Sequence, residues 1–476
     1  MTATSVNIEA SIQTAKELIA KEKNLSPALK VALDVLLLLV TILANQLGLN
    51  SKNSSKPPAS DPNREKKLKE PGTRKPGGQH GHIGTTLKQV PDPDQIKELT
   101  VDRSMLPSGS WRVSGYETRQ VIDVDISSFV TEWRAEVLEH QNGKRYVAEF
   151  PKDVTRPVQY GINVKVNAVY MSQYQLIPYN RIEDHFQDQM GIPISVGTIN
   201  NFNKDAFERL ESFESWVKEQ LGSSPLVHGD ETGINIGGKG RWLHTVCNDG
   251  FTYYYPHDKR GGIAIDEMGV LPTYKGIICH DHWKPYFNYG GSHALCNAHH
   301  IRELERAFEQ DKQKWAEQMI LLLKEINKAV IESGGHLEMA ASEHYRKRYR
   351  DLLHEAEREC PPPDEPAVKK QGKTARSTAR NLLERLQKFE NETLRFMDEE
   401  VVPFSNNQAE NDLRMTKVQQ KISGCFRSMD GAKMFCRIRS YLSTCRKQDI
   451  SASEGLRLLF QGKWPPFMTV KEQGAE

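Results

Sequence analysis

Three acidic positions stand out by what surrounds them. Asp230 follows the apolar pair Leu226-Val227 in PLVHGDETG, Asp281 follows Ile277-Ile278 in KGIICHDHWKPY, and Glu410 lies in NNQAENDLR. The two apolar runs read as strands, and a rigid sheet fixes the aim of a group at its edge. If those strands neighbour each other, both aspartates emerge at the same edge. Asn406-Asn407 opens a helix and can cap it. Laid against the sheet, that helix adds Glu410. Three converging carboxylates repel one another unless a cation lies among them. Hard oxygen ligands with room for water suit Mg²⁺, with Mn²⁺ as a substitute. Two such ions about 3.5–4 Å apart activate a nucleophile and stabilise a leaving oxygen in phosphodiester chemistry, with Asp230 as the bridging ligand. Arg414 and Lys417 fall near the glutamate's helical face, where they either contact DNA phosphates or form a solvated basic face.

Such a set is weak evidence in a chain with 62 acidic residues. Asp249, Asp258 and Asp266 compete for the same work, although they read better as turn, loop and cap residues. A second chemistry is a metal-dependent hydrolase built on His280, His282, His293, His299 and His300. Against it, His280 and His282 alternate on a strand-like segment and point away from Asp281. His299 and His300 are adjacent on a helix and do not share one site. No HExxH occurs. His299 is instead expected to help place DNA near the acids.

Positioning these residues requires a chain of several folded units, since 476 residues exceed a single core. Residues 1–50 read as an N-terminal helical region. Within it VALDVLLLLVTILANQLGL, Val31 to Leu49, is long enough to span a bilayer. Asp34 inside it and Asn45-Gln46 near its end favour an oligomerising or docking helix, Leu33–Leu47 being the candidate contact. Residues 51–95 form a basic flexible linker with Lys66, Lys67, Lys69, Arg74 and Lys75 placed to track a phosphate backbone. Residues 96–157 read as a small β unit: Val121 to Ile126 and Phe129 to Val137 as strands, Asn142-Gly143 as a hairpin turn. Residues 158–222 are helical. In RIEDHFQDQMGIPISVGTINNF, a helix over Arg181–Gln189, a turn at Gly191 and a second helix capped by Ser195 have helix-turn-helix rhythm, with Ser195, Thr198 and Asn201 towards a DNA groove. Strands alternate with turns over 223–300, with a hairpin at Asp249-Gly250. Residues 301–400 are all helical, 401–428 carry the glutamate helix, and 429–476 hold the last helices.

A net charge of +2 and a pI of about 8.0 do not by themselves demand a nucleic-acid partner, so any DNA surface must be local. Seven cysteines without a CxxC pair, and no signal-peptide pattern in residues 1–30, point to free thiols in a reducing cytoplasm.

Several segments together resemble the insertion sequence 66 family of bacterial transposases over most of the chain. LGLNSKNSSKPPASD and RKPGGQHGH resemble its N-terminal linker, HGDETG its first-aspartate motif, CHDHWKPYFNYGG with LCNAHHIRELE its second-aspartate region, and PFSNNQAENDLR its glutamate motif. The resemblance implies a DDE transposase with catalytic roles at Asp230, Asp281 and Glu410. It further implies an α+β multidomain chain whose ribonuclease-H-like core, at 223–300 and 401–428, is interrupted by an all-α insertion. Strand cleavage at transposon ends, transfer into target DNA, at least a dimer on DNA, nucleoid association and small accessory proteins are corresponding expectations. Relatives usually place a zinc ribbon after the linker. SMLPSGSWRVSGYETRQVID has no cysteine, so a β unit held by an apolar core, without zinc, is expected. A relative that binds DNA without cutting it is the alternative.

Overall fold

The computed structural model describes residues 8–22, 25–47, 53, 87–363 and 376–469. Two helices come first, α1 (Ile8–Lys21) and α2 (Pro27–Leu47). Ser26 caps α2, accepting the Leu29 N–H at 3.2 Å. Most of the basic linker, including Lys66, Lys67, Lys69, Arg74 and Lys75, lies outside the described residues.

The expected β unit is reduced to one hairpin, β1 (Val137–Glu139) and β2 (Arg145–Val147), turning at Asn142-Gly143. Gly143 takes φ 79°, the left-handed conformation a tight turn demands. Val121, Ile122, Val124, Ile126, Phe129, Val130 and Trp133 form no strand and are exposed, so the expected apolar core is absent there. An apolar, β-branched pattern makes a strand only where a partner strand and a covered face receive it.

Helices α3 (Ile162–Val169), α4 (Tyr179–Met190), α5 (Val196–Arg209) and α6 (Glu211–Gly222) follow. Gly191, at φ 63°, ends α4, and Ser195 caps α5 by accepting the Thr198 N–H, as expected for the helix-turn-helix pair.

The sheet is built from β3 (Leu226–Ile236), β4 (Lys239–Cys247), β5 (Thr252–His257), β6 (Ile277–His280) and β7 (Ser292–Leu295), with α7 (Gly262–Met268) between β5 and β6. Its order is β5-β4-β3-β6-β7: β3, β4 and β5 are antiparallel, while β6 and β7 run parallel to β3. Strand β3 does not end in a polar turn after Asp230 as the sequence suggested. It continues to Ile236 and turns through Gly237-Gly238, both with positive φ, where a two-residue hairpin needs them. The Asp249-Gly250 hairpin forms as expected between β4 and β5.

Helices α8 (Asn297–Glu309), α9 (Lys314–Glu332), α10 (Met339–Glu359), α11 (Thr378–Lys388) and α12 (Glu390–Asp398) precede α13 (Asn407–Ser423), α14 (Met429–Lys447), α15 (Ala452–Phe460) and α16 (Pro466–Thr469). Both sheet faces are covered. Val227, Val246, Tyr253 and Ile278 pack on one face with residues of α3–α6, α14 and α15. Leu226, Ile277, Cys279 and Ala294 pack on the other with α8–α12. This is the two-residue alternation of a strand, and it decides where each acid points.

Candidate active site

Strands β3 and β6 are paired in parallel, Leu226 with Ile277, Val227 with Ile278 and His228 with Cys279. Asp230 and Asp281 each stand two residues beyond that last pair. The same alternation puts both on the face that carries Leu226 and Cys279. Asp230 is half-buried and accepts the Glu231 N–H at 2.9 Å; Asp281 accepts the Trp283 N–H at 3.0 Å. Burial first, then the negative charges of Glu231, Asp281 and Glu410, hold the Asp230 carboxyl well above the ordinary aspartate range. The carboxylates of Asp281 and Glu410 thus act on Asp230 together with burial. That donor set fits a hard divalent ion.

Glu410 sits in the first turn of α13. The expected cap at Asn406 does not form: its side chain is buried and makes no capping bond. Instead its Nδ2 donates to the Gly229 carbonyl at 2.9 Å and its Oδ1 meets His228 Nδ1 at 2.7 Å, while its backbone N–H points at Cys296 Sγ, 3.1 Å away. A buried amide with a partner for each end outbids a helix cap. The result is that α13 begins against β3, beside Asp230.

Further along, Lys417 Nζ donates to the Gly233 carbonyl, so this lysine is drawn onto the strand. Beyond the helix, Phe426 N–H donates to Asn235 O at 3.0 Å, and Phe426 O accepts the Gly237 N–H at 2.8 Å. Helix α13 is thus tied to β3 near its start, middle and end. Arg414 is exposed. Ser195 and Asn201 are exposed and Thr198 partly so, on the helix-turn-helix pair.

Within this arrangement the Glu410 carboxylate is held by Arg302 Nη2 at 3.3 Å and lies 3.6 Å from His299 Nδ1. Burial first, then Arg302, lowers the His299 pKa, with Glu410 and Asp281 acting in the opposite direction. The remaining histidines do not form a centre. His280 is buried against Tyr286, Phe287 and His293, with its Nε2 3.3 Å from His293 Nδ1. His282, at φ 74°, packs on Phe287 and Phe389, and His300 meets Asn297 Oδ1 at 3.1 Å.

The residues that sequence reasoning missed include a fourth acid. Glu231 points to the opposite face, buried, where Arg260 Nη2 donates to it at 2.6 Å and the Tyr286 hydroxyl at 2.9 Å. Burial first, then Asp281, raises its carboxyl; Arg260 and Tyr286 oppose the rise. Arg260 lies between the Trp242 and Trp283 rings, 4.8 and 4.6 Å from their centroids. Gly229 leaves room for this: a Cβ there would stand 2.9 Å from the Tyr286 ring. The adjacent acid in HGDETG was the available signal, but nothing in the string distinguishes a ligand from a neighbour facing the other way.

Comparison with known families gives two matches. Residues 6–88 match a family of unknown function. No curated protein matches the chain. Residues 158–434, more than half of the chain and including all three acids, match the model described as Transposase IS66 family, and the chain belongs to that family of transposases.

Proposed function

We propose that this transposase is of the DDE type, with Asp230, Asp281 and Glu410 as its catalytic acids in a ribonuclease-H-like core. Support comes from the parallel register of β3 and β6, which levels the two aspartates, and from the Asn406 lock that starts the glutamate helix beside them. The strand arrangement, three antiparallel strands followed by two parallel ones, agrees with such a core.

Two Mg²⁺ ions, or Mn²⁺ in their place, would be held by Asp230, Asp281 and Glu410, activating the attacking oxygen and stabilising the leaving one. Asp230 would be the acid common to both ions. Water adds to the phosphorus at the transposon end and the 3′ oxygen leaves as a free hydroxyl. That hydroxyl then attacks a phosphodiester of target DNA, again expelling a 3′ oxygen. No Ser or Tyr nucleophile is required. Arg414 and the exposed start of α5, with its cap Ser195 and with Thr198 and Asn201, contact DNA together with the basic linker, whereas His299, expected from the sequence to help place DNA, faces Glu410 instead. Lys417 serves the helix rather than the phosphates. The enzyme acts in the cytoplasm on nucleoid DNA, at least as a dimer.

The test is cleavage of a labelled transposon-end duplex. Replacing Asp281 or Glu410 by Ala should lower cleavage at least about a hundredfold, while electrophoretic mobility shifts show DNA binding close to wild type. Retained cutting in either variant overturns the assignment.

A further inference from the structure

Among the described residues, a second group of ligand atoms lies beside the proposed acids. Cys296, His299 and Glu410 each offer one donor, and the three atoms lie within 4.8 Å of one another. Cys296 is the residue just before α8, and His299 follows in its first turn, so the Cys-x-x-His spacing is held by the helix itself. Glu410 comes from the first turn of α13. The group has support from outside it. Asn406 N–H points at Cys296 Sγ from 3.1 Å, coupling α13 to the cysteine. His299 Nδ1 is buried and has no hydrogen-bond partner, although Glu410 Oε1 is 3.6 Å away. A buried ring nitrogen without a partner is costly unless something binds it.

We propose that Cys296, His299 and Glu410 form a site for a thiophilic divalent cation of the Zn²⁺ type, distinct from the Mg²⁺ site though sharing Glu410 with it. One sulfur, one imidazole nitrogen and one carboxylate oxygen leave a fourth tetrahedral position for water. Bond lengths of about 2.0–2.3 Å place such ligands roughly 3.5 Å apart, so a small inward rotation of these side chains completes the shell. The donors select the ion: a sulfur and an imidazole nitrogen are soft and borderline ligands that suit Zn²⁺ better than Mg²⁺, which the all-oxygen set of Asp230, Asp281 and Glu410 suits. Binding displaces the Cys296 proton to solvent, so affinity rises with pH.

Because the ion takes Glu410, its occupancy competes with phosphodiester chemistry; this consequence, unlike binding itself, rests on the function proposed above. The probe is Co²⁺ added to the purified full-length protein without Mg²⁺. The expected result is one equivalent bound with a sulfur-to-cobalt charge-transfer absorption. That absorption should be lost in Cys296→Ser, weakened at least tenfold in apparent affinity in His299→Ala, and retained in Asp230→Ala. Circular dichroism identifies any variant that fails to fold, and His299→Ala, at a half-buried position, remains decisive if Cys296→Ser does. One equivalent of Zn²⁺ should also suppress Mg²⁺-dependent cleavage by the wild type at least tenfold. Absence of the band in the wild type, its persistence in Cys296→Ser, or an unchanged affinity in His299→Ala overturns the site. Cleavage retained in Asp230→Ala with the cobalt behaviour intact overturns the catalytic assignment and leaves this site standing.

Discussion

Asn406 ties the start of the glutamate helix to the strand that carries Asp230. Its amide spans His228 and the Gly229 carbonyl, and the next residue along β3 is Asp230. Replacing Asn406 by Ala leaves a buried carbonyl and a buried imidazole nitrogen without partners, which costs about 1–3 kcal/mol. We expect thermal unfolding to show that loss. Cleavage should fall by at least about tenfold, since a helix start that shifts carries Glu410 with it, while DNA affinity stays unchanged. Full activity in Asn406→Ala would show that the lock is not what aims the glutamate. The pair Asn406-Asn407 was visible in the sequence as polar residues ahead of a helix. Its actual work was not, because a cap and a bridge to a distant strand use the same amide and only tertiary placement chooses between them.

At the scale of elements, α13 is fastened on both of its sides. Towards β3 there are the Asn406, Lys417 and Phe426 contacts. Towards β5 and α14, Asp412 accepts from Thr252 Oγ1 at 2.8 Å and from Lys447 Nζ at 2.7 Å. That ion pair is largely buried, with side-chain exposures of 14% and 13%. Lys447→Met would leave Asp412 without its cation at a cost of about 3–5 kcal/mol, and pairing it with Asp412→Leu should recover part of the loss. Equilibrium denaturation of the single and double variants measures this; equal stability of the single variant and wild type would contradict it. The sequence showed the strands of Asp230 and Asp281, the Asp249-Gly250 hairpin and the helix-turn-helix pair, because periodicity and turn residues are local signals. It did not show that β3 runs on to Gly237-Gly238, nor that SHAL forms β7. A four-residue edge strand has too little pattern to read. The apolar stretches over 121–133 misled for the converse reason, since strand propensity without a partner leaves residues exposed.

At the scale of the molecule, the sheet has packed residues on both faces, and the acids proposed for catalysis lie on the side covered by the helices of residues 297–398 and by α13. Helix α2 stands apart: Val31, Leu36, Leu38 and Leu43 are exposed, and Pro27–Ala44 is long and apolar enough to cross a membrane by length and composition. The fold also carries a pH dependence. Burial holds the His244 pKa down at about 4, against the ordinary histidine value of 6.5. The folded value is depressed, so the stability it contributes is complete above about pH 6.5 and is lost as pH falls towards 4. Each pH unit in that window costs up to about 1.4 kcal/mol for one buried histidine. Urea midpoints at pH 7 and pH 5 should differ less in His244→Gln than in the wild type; an equal drop in both would place the sensitivity elsewhere. For the acids themselves, the most direct measurement is anomalous diffraction from crystals soaked in Mn²⁺. Peaks should lie between the Asp230 and Asp281 carboxylates, with the Glu410 side chain turned from Arg302 to reach one of them. Manganese bound elsewhere, with no density between the aspartates at saturating concentration, would contradict the assignment.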